Sequence, residues 1–164
     1  MTIHDKYCIK ILGFMEGGRM GKFYYMTCRN KECRYRVQIR EGEGMIGFAR
    51  IMRLKEAILS GAEHVSPEIK QLLSDSFDLS GRGTYYCNEC KEWKVISKPY
   101  IFESIHVSPY GTIRDYKVHY IYDAPVCDVC GSKVEFIPNP RSSKNKCPKC
   151  GMDDMRYGAG GYYD

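Results

Sequence analysis

Long apolar runs are missing from this chain. No stretch of its 164 residues approaches the roughly 18 apolar residues that a membrane-spanning helix needs, so no membrane partner is expected. Residues 1–10 carry His4, Asp5, Lys6 and Lys10 and no sustained apolar core, so no secretion signal is expected and the cytosol is the expected location. Histidine is scarce. His4, His64, His106 and His119 stand at no ligand spacing to one another, which argues against a catalytic zinc, whose open position is usually flanked by His or carboxylate ligands. Glu63 and His64 are adjacent rather than three apart, so no di-iron bundle motif is present. His-x-Glu followed by Pro-Cys-x-x-Cys, the deaminase signature, is also missing. An enzyme is therefore not expected.

Cysteine, by contrast, is abundant. Cys127-Asp-Val-Cys130-Gly and Cys147-Pro-Lys-Cys150-Gly are two C-x2-C turns with sixteen residues, Gly131 to Lys146, between them. Each turn offers two thiolates, and four thiolates close a tetrahedral site around Zn²⁺. Clustered C-x2-C without a secretion signal favours metal over the alternatives, disulfides or unligated thiols. Gly131 and Gly151 relieve the strain of wrapping backbone around sulfur, and N–H groups in such turns donate to it. Upstream, Cys28-x4-Cys33 and Cys87-x2-Cys90 each follow a Tyr-Tyr dipeptide, Tyr24-Tyr25 and Tyr85-Tyr86. That likeness suggests pseudo-equivalent halves, so Cys28, Cys33, Cys87 and Cys90 are grouped as one site and Cys127, Cys130, Cys147 and Cys150 as the other. Cys8 has no partner at ligand spacing and reads as a small buried hydrophobe.

The residues around these turns read as an α+β protein, rich in short strands. Tyr7–Leu12 and Lys22–Cys28 read as strands, and Tyr35–Arg40 alternates Tyr35, Val37 and Ile39 against Arg36, Gln38 and Arg40. The 53 residues between Cys33 and Cys87 need structure of their own. Phe48 to Ser60 places Phe48, Ile51, Met52, Leu54, Ile58 and Leu59 near one helical stripe, with Gly61 as its stop. Ser66-Pro67-Glu68 announces a second helix, with a hydroxyl cap, proline at the first turn and a carboxylate beside it. The two helices are expected to form a hairpin packed on the first ribbon. Tyr100–Val107 and Ile113–Tyr122 read as a β-hairpin about the turn Ser108-Pro109-Tyr110-Gly111, Tyr116, Val118, Tyr120 and Tyr122 alternating with Lys117, His119 and Ile121. His106 and His119 become candidate cross-strand neighbours. The expected organisation is residues 1–98 as an N-terminal module with a helical insert at about 44–80, a hairpin connector at 99–124, a C-terminal module at 125–157, and a flexible tail at 158–164.

Charge is uneven. Residues 1–40 hold nine Lys/Arg against three Asp/Glu, whereas residues 41–164 hold sixteen against seventeen. The excess concentrates in Arg29, Lys31, Arg34, Arg36 and Arg40, with Arg141, Lys144 and Lys146 as a second patch. Tyr24, Tyr25 and Tyr35 adjoin the first patch, and aromatic faces beside guanidinium groups suit single-stranded bases. They equally suit a protein interface or a half-buried sheet. Gly42-Glu-Gly44-Met-Ile-Gly47 spells G-x-G-x-x-G between a strand and a helix, with Glu63 near the place of a ribose-binding acid. A dinucleotide loop needs a parallel βαβ unit, however, and this strand has just left a cysteine turn, so a simple tight turn is the stronger reading.

The C-x-x-C-G and C-P-x-C-G turns resemble those of zinc ribbons and rubredoxins over residues 127–151. The wider layout is loosely similar to uncharacterised two-zinc-ribbon proteins of anaerobic bacteria. The zinc-ribbon resemblance implies two structural zinc ions, with iron not excluded because four thiolates suit either metal. The expected function is a non-enzymatic recognition module that binds nucleic acid through its basic and tyrosine-rich surfaces. The alternatives are an adaptor or inhibitor docking on an acidic protein surface, of the kind a mobile element encodes, and rubredoxin-like electron transfer by iron.

Overall fold

The computed structural model describes residues 21–163 apart from 76, 108–112, 143 and 154. Cys8, His4, the Tyr7–Leu12 strand and the Ser108–Gly111 turn lie outside the described residues. The chain runs β1 (Gly21–Cys28), β2 (Arg36–Glu41), α1 (Gly44–Ser60), α2 (Pro67–Ser74), β3 (Leu79–Ser80), β4 (Gly83–Cys87), β5 (Glu92–Ile96), β6 (Tyr100–Val107), β7 (Ile113–Tyr120), β8 (Glu135–Phe136) and β9 (Met155–Tyr163). The class is α+β: the described residues form two helices and three small antiparallel sheets, ordered β2-β1-β9 (sheet A), β3-β6-β7 (sheet B) and β5-β4-β8 (sheet C). Among the described residues no helix is long and apolar enough to cross a membrane.

Strict alternation builds sheet A. Tyr24, Met26 and Cys28 of β1 point to one face, where Tyr24 pairs with Ile39 and Met26 with Val37. That face forms a core with Trp93 of β5, Cys147 and Met155, to which Tyr35, Tyr86, Val95 and Ile137 add partly buried surface. The Tyr35 hydroxyl accepts a hydrogen bond from the Trp93 backbone N–H at 2.9 Å, so sheets A and C are tied by a polar contact as well as by burial. The expected flexible tail is corrected here, since through Tyr163 it is the edge strand β9, which pairs with β1 from Cys28↔Met155 to Gly21↔Tyr163 around a bulge. Glycine here serves close approach rather than looseness. A Cβ at Gly161 would stand 2.9 Å from the Phe23 ring, and one at Gly160 would collide with the Phe23 carbonyl.

The helices follow their sequence signals. Ser66 Oγ accepts from Ile69 N–H, Pro67 opens α2, and Gly61 ends α1 in the left-handed region at φ 85°. Their partner differs from the expectation. Ile51, Ile58, Ile69 and Leu73 pack on Leu79, Ile101 and Ile121, so the helical hairpin covers sheet B and the end of β7 rather than the first ribbon. Its stripe is also narrower than the sequence suggests: Ile51 and Ile58 are buried and Leu54 half-buried, while Phe48, Met52 and Leu59 are exposed.

Sheet B is buried on both sides, which the alternation of β7 does not reveal. His119 and Ile121 face the helices, whereas Tyr116 joins Phe102, Tyr100 and Tyr85 in an aromatic cluster around Phe136. His106 and His119 are not cross-strand neighbours, since His119 pairs with Ile101 and His106 with Asp115. His119 is instead held by carboxylates, with Nε2 2.7 Å from Glu103 Oε2 and Nδ1 3.6 Å from Glu68 Oε1. Lys117 donates to the same Glu68 oxygen at 2.8 Å, which clips α2 to β7.

Candidate metal centres

Two hairpin turns and two later turns deliver the cysteines. The chain between β1 and β2 carries Cys28 and Cys33, and the chain between β4 and β5 carries Cys87 and Cys90. In the later turns Gly131 N–H donates to Cys127 O at 2.9 Å and Gly151 N–H to Cys147 O at 2.8 Å. Cys127 N–H and Cys147 N–H close the same turns on Ser132 O and Met152 O.

The four turns combine as Cys28, Cys33, Cys147 and Cys150 in site 1, and Cys87, Cys90, Cys127 and Cys130 in site 2. The expected grouping is thereby corrected. All eight cysteines are confirmed as members of four-sulfur clusters, but each early pair joins a late one, and site 2 is nested in the chain that site 1 closes. The Tyr-Tyr likeness was a true sign of equivalence. Equivalent hairpins open two separate sites instead of sharing one, because each leads with a buried tyrosine, Tyr24 or Tyr85, and buries its first cysteine, Cys28 or Cys87.

The geometry fits a metal ion. Sγ–Sγ separations are 3.6 Å for Cys28–Cys150, 3.7 Å for Cys33–Cys147, 3.5 Å for Cys87–Cys130 and 3.7 Å for Cys90–Cys127. Four sulfurs bound tetrahedrally at 2.3 Å stand about 3.8 Å apart, whereas a disulfide closes to about 2.05 Å. Among the described residues no sulfur pair is bonded.

The thiols are also prepared for a cation. Burial pushes Cys28 up to about 12, and Cys90 rises to about 12 by sharing a hydrogen bond with Cys130 and by burial. Cys130 falls to about 6 under hydrogen bonds from the Ser132 side chain and backbone, and Cys150 to about 7 under the Met152 N–H. Each cluster thus pairs a thiol lowered toward neutrality, Cys150 or Cys130, with a raised one, Cys28 or Cys90. Four thiolates coexist at this spacing only when a divalent cation offsets them. Lys94, bonded to Glu92 at 3.1 Å and lying 3.6 Å from Asp128, adds positive charge beside Cys127. Lys149 of the site 1 turn reaches Glu92 at 3.3 Å and the Cys90 carbonyl at 3.4 Å, which links the two centres.

One feature repeats at all four turns. The residue after the second cysteine has positive φ: Arg34 (53°), Lys91 (54°), Gly131 (72°) and Gly151 (73°). Only the last two are glycine, so the early turns carry left-handed strain. Lys91→Gly is expected to stabilise the protein by about 1 kcal/mol, less the entropy glycine adds to the unfolded chain. Thermal unfolding at fixed metal would check this, and an unchanged or lower midpoint would count against the strain.

The sequence-derived basic residues separate on the structure. Arg36 and Arg40 lie on the outer face of sheet A, with Arg29, Lys31 and Arg34 in the turn at its end. Arg34 Nε donates to the Lys31 carbonyl at 3.4 Å. Arg141 lies against the opposite face, where it pairs with Glu41 and sits over the Tyr24 ring at 5.1 Å and the Tyr157 ring at 6.0 Å. Lys144 is exposed on the loop before site 1. Lys146 borders a cleft of about 540 Å³ between the two centres, with Lys91, Lys149, Tyr86, Trp93 and Phe136. Of Tyr24, Tyr25 and Tyr35, only Tyr25 faces outward, since Tyr24 and Tyr35 join the core.

The outer face also holds residues that the sequence reading missed. Strand register places Phe23 opposite Arg40 and Gly161, Tyr25 opposite Gln38 and Gly158, and Thr27 opposite Arg36 and Arg156. Arg156 and Tyr163 were hidden because a glycine-rich segment gives no strand signal, although Tyr157, Tyr162 and Tyr163 within it hinted at a sheet. Gly42 and Gly44 take positive φ at the entry to α1, and the Glu43 carboxylate accepts from Gly81 N–H at 2.8 Å. Sheet A is antiparallel, so the G-x-G-x-x-G loop is a turn into a helix and not part of a parallel dinucleotide fold.

Comparison of the chain with protein-family models, with curated proteins and with solved structures finds no match.

Proposed function

We propose that this protein is a non-enzymatic recognition module, clamped by two zinc-ribbon-type zinc sites, that binds nucleic acid on the outer face of sheet A. One observation carries the reading. The outward side chains of the three strands are Phe23, Tyr25, Thr27, Arg36, Gln38, Arg40, Arg156 and Tyr163, with three arginines and no carboxylate among them. A cationic face attracts a polyanion, and Lys31 and Arg34 extend it beyond the end of the sheet, in a turn that also carries one exposed carboxylate, Glu32.

Binding of a labelled oligonucleotide should weaken steeply with added salt, and Arg36→Glu with Arg40→Glu should weaken it by at least tenfold at moderate salt. Equal binding by the double variant, or no salt dependence, would sink the reading. An adaptor role is the second reading, favoured by the exposed column Met45, Met52 and Leu59 on α1 with Phe48 beside it. Retention of one protein partner at high salt by the charge-reversed variant, with no oligonucleotide bound by the wild type, would favour that role.

A further inference from the structure

We infer that the outer face of sheet A is a stacking platform for single-stranded nucleic acid, with Phe23, Tyr25 and Tyr163 as the rings that meet the bases. The inference rests on the nucleic-acid reading above and names the form of nucleic acid.

Three rings follow the line of β1. Tyr25 and Phe23 project from the central strand two residues apart, and the Tyr163 ring lies over Gly21, where the next side chain in that row would stand. Phe23 and Tyr25 have centroids 6.1 Å apart and planes at 85°. Bases along a duplex strand repeat at about 3.4 Å, already stacked on one another, so rings at this wider spacing suit an extended strand whose bases are separated. No described residue of another element joins Phe23 or Tyr25 in a core cluster.

Cations flank two of the three rings, Tyr25 and Tyr163. The Arg36 guanidinium sits 3.9 Å above Tyr25, leaving a planar cation on which a base can stack. Arg40 and Arg82 lie over Tyr163 at 5.5 and 5.4 Å. Arg82 donates to the Tyr163 hydroxyl, which in turn donates to Gly42 O at 2.9 Å, so this ring is held in place. Gln38 Nε2 donates to Tyr25 OH at 3.4 Å and sets a polar side chain next to the stacked pair.

Glycine keeps the platform low on its β9 side. Gly158 pairs with Tyr25 and Gly161 with Phe23, so neither ring has a side chain across from it on that strand. The Phe23 ring would meet a Cβ at Gly161 at 2.9 Å, which shows that it leans over β9. A strand crossing the sheet therefore finds rings down the middle, arginines on the β2 side and Arg156 at the far corner of β9. A duplex hides its base faces and gains only the phosphate contacts.

The test uses the metal-loaded full chain and fluorescein-labelled oligouridylate, oligodeoxythymidylate and a mixed-sequence duplex, each of about 12 nucleotides or base pairs. Expected results are single strands bound about tenfold or more tighter than duplex, and Phe23→Ala and Tyr25→Ala each weakening single strands about tenfold with metal content unchanged. Tyr25→Trp should retain binding, and its added fluorescence should be quenched by either single strand, a readout that does not need the alanine variants to fold. Full binding by both alanine variants, or equal affinity for duplex, would overturn this inference. If Arg36→Glu with Arg40→Glu still weakened binding in that case, the broader nucleic-acid reading would stand. Failure of wild type to bind any of the three probes would remove both.

Discussion

Serine at Cys28 and serine at Cys150 are expected to cost the protein the same metal ion, although 122 residues separate them. Each single variant should lose about one of two metal equivalents, because three remaining sulfurs no longer close a tetrahedral site. The double variant should lose no more than either single one. Cys28→Ser with Cys87→Ser, by contrast, should lose both ions, since those residues belong to different clusters. Metal analysis of purified protein distinguishes the patterns. Grouping by chain order would reverse the second outcome, leaving one ion in the Cys28/Cys87 variant and none in the Cys28/Cys150 variant.

The structural consequence should follow the same pairing. Site 1 joins the β1–β2 turn to the turn before β9 at one end of sheet A, so its loss should release β1 and β9 from that end together. Amide exchange in β1 and β9 should accelerate while sheet B, whose core contains no cysteine, stays protected longer. Protection lost from β9 alone, with β1 intact, would show that the clamp is not the interaction that holds this sheet. Chelation should reproduce the effect at both sites. Zinc leaves the protein colourless, whereas iron in the same sulfurs would give a visible absorption band.

Trp93→Ala is expected to have the largest effect of any substitution away from the cysteines, about 3–5 kcal/mol of stability. The side chain is 5% exposed and packs with Tyr24, Met26, Ile39, Cys28, Cys147 and Met155, yet it belongs to β5, a strand of the sheet that presents Cys87. It therefore fills the seam between the two metal centres. Truncation leaves a cavity there and loosens the Tyr35 contact to the same residue. The transition should split in two, with sheet A and site 1 melting before sheet C and site 2. Calorimetry of the metal-loaded variant reads this directly, and a single transition at an unchanged midpoint would refute the seam. Trp93 is the sole tryptophan, so wild-type fluorescence should report separation of the sheets.

Much of the local structure was legible because its causes are local. Ser66-Pro67-Glu68 capped a helix, Gly61 ended one, and period-two alternation in β2 placed Val37 and Ile39 inward and Arg36 and Arg40 outward. Each follows from backbone sterics and hydrogen bonds within a few residues. Errors arose where a local signal has two physical meanings. Gly160 and Gly161 read as looseness but serve close packing on Phe23. In β7 alternation was present, yet both faces are covered, so polarity alone did not mark the side facing the helices.

The cysteine clusters divide the same way. By itself the sequence determined that eight cysteines in four short turns are placed to offer thiolates to a metal, because two sulfurs from one turn follow from spacing and backbone curvature. It also placed two arginines on the outward side of β2. Which turn meets which was decided only by the tertiary structure. Any two of the four turns have the chemistry to share an ion, and the choice falls to the packing of sheet A on Trp93, the pairing of β9 with β1, and the contact of β8 with β4. Those are contacts between residues far apart in the chain, and no spacing along the sequence encodes them.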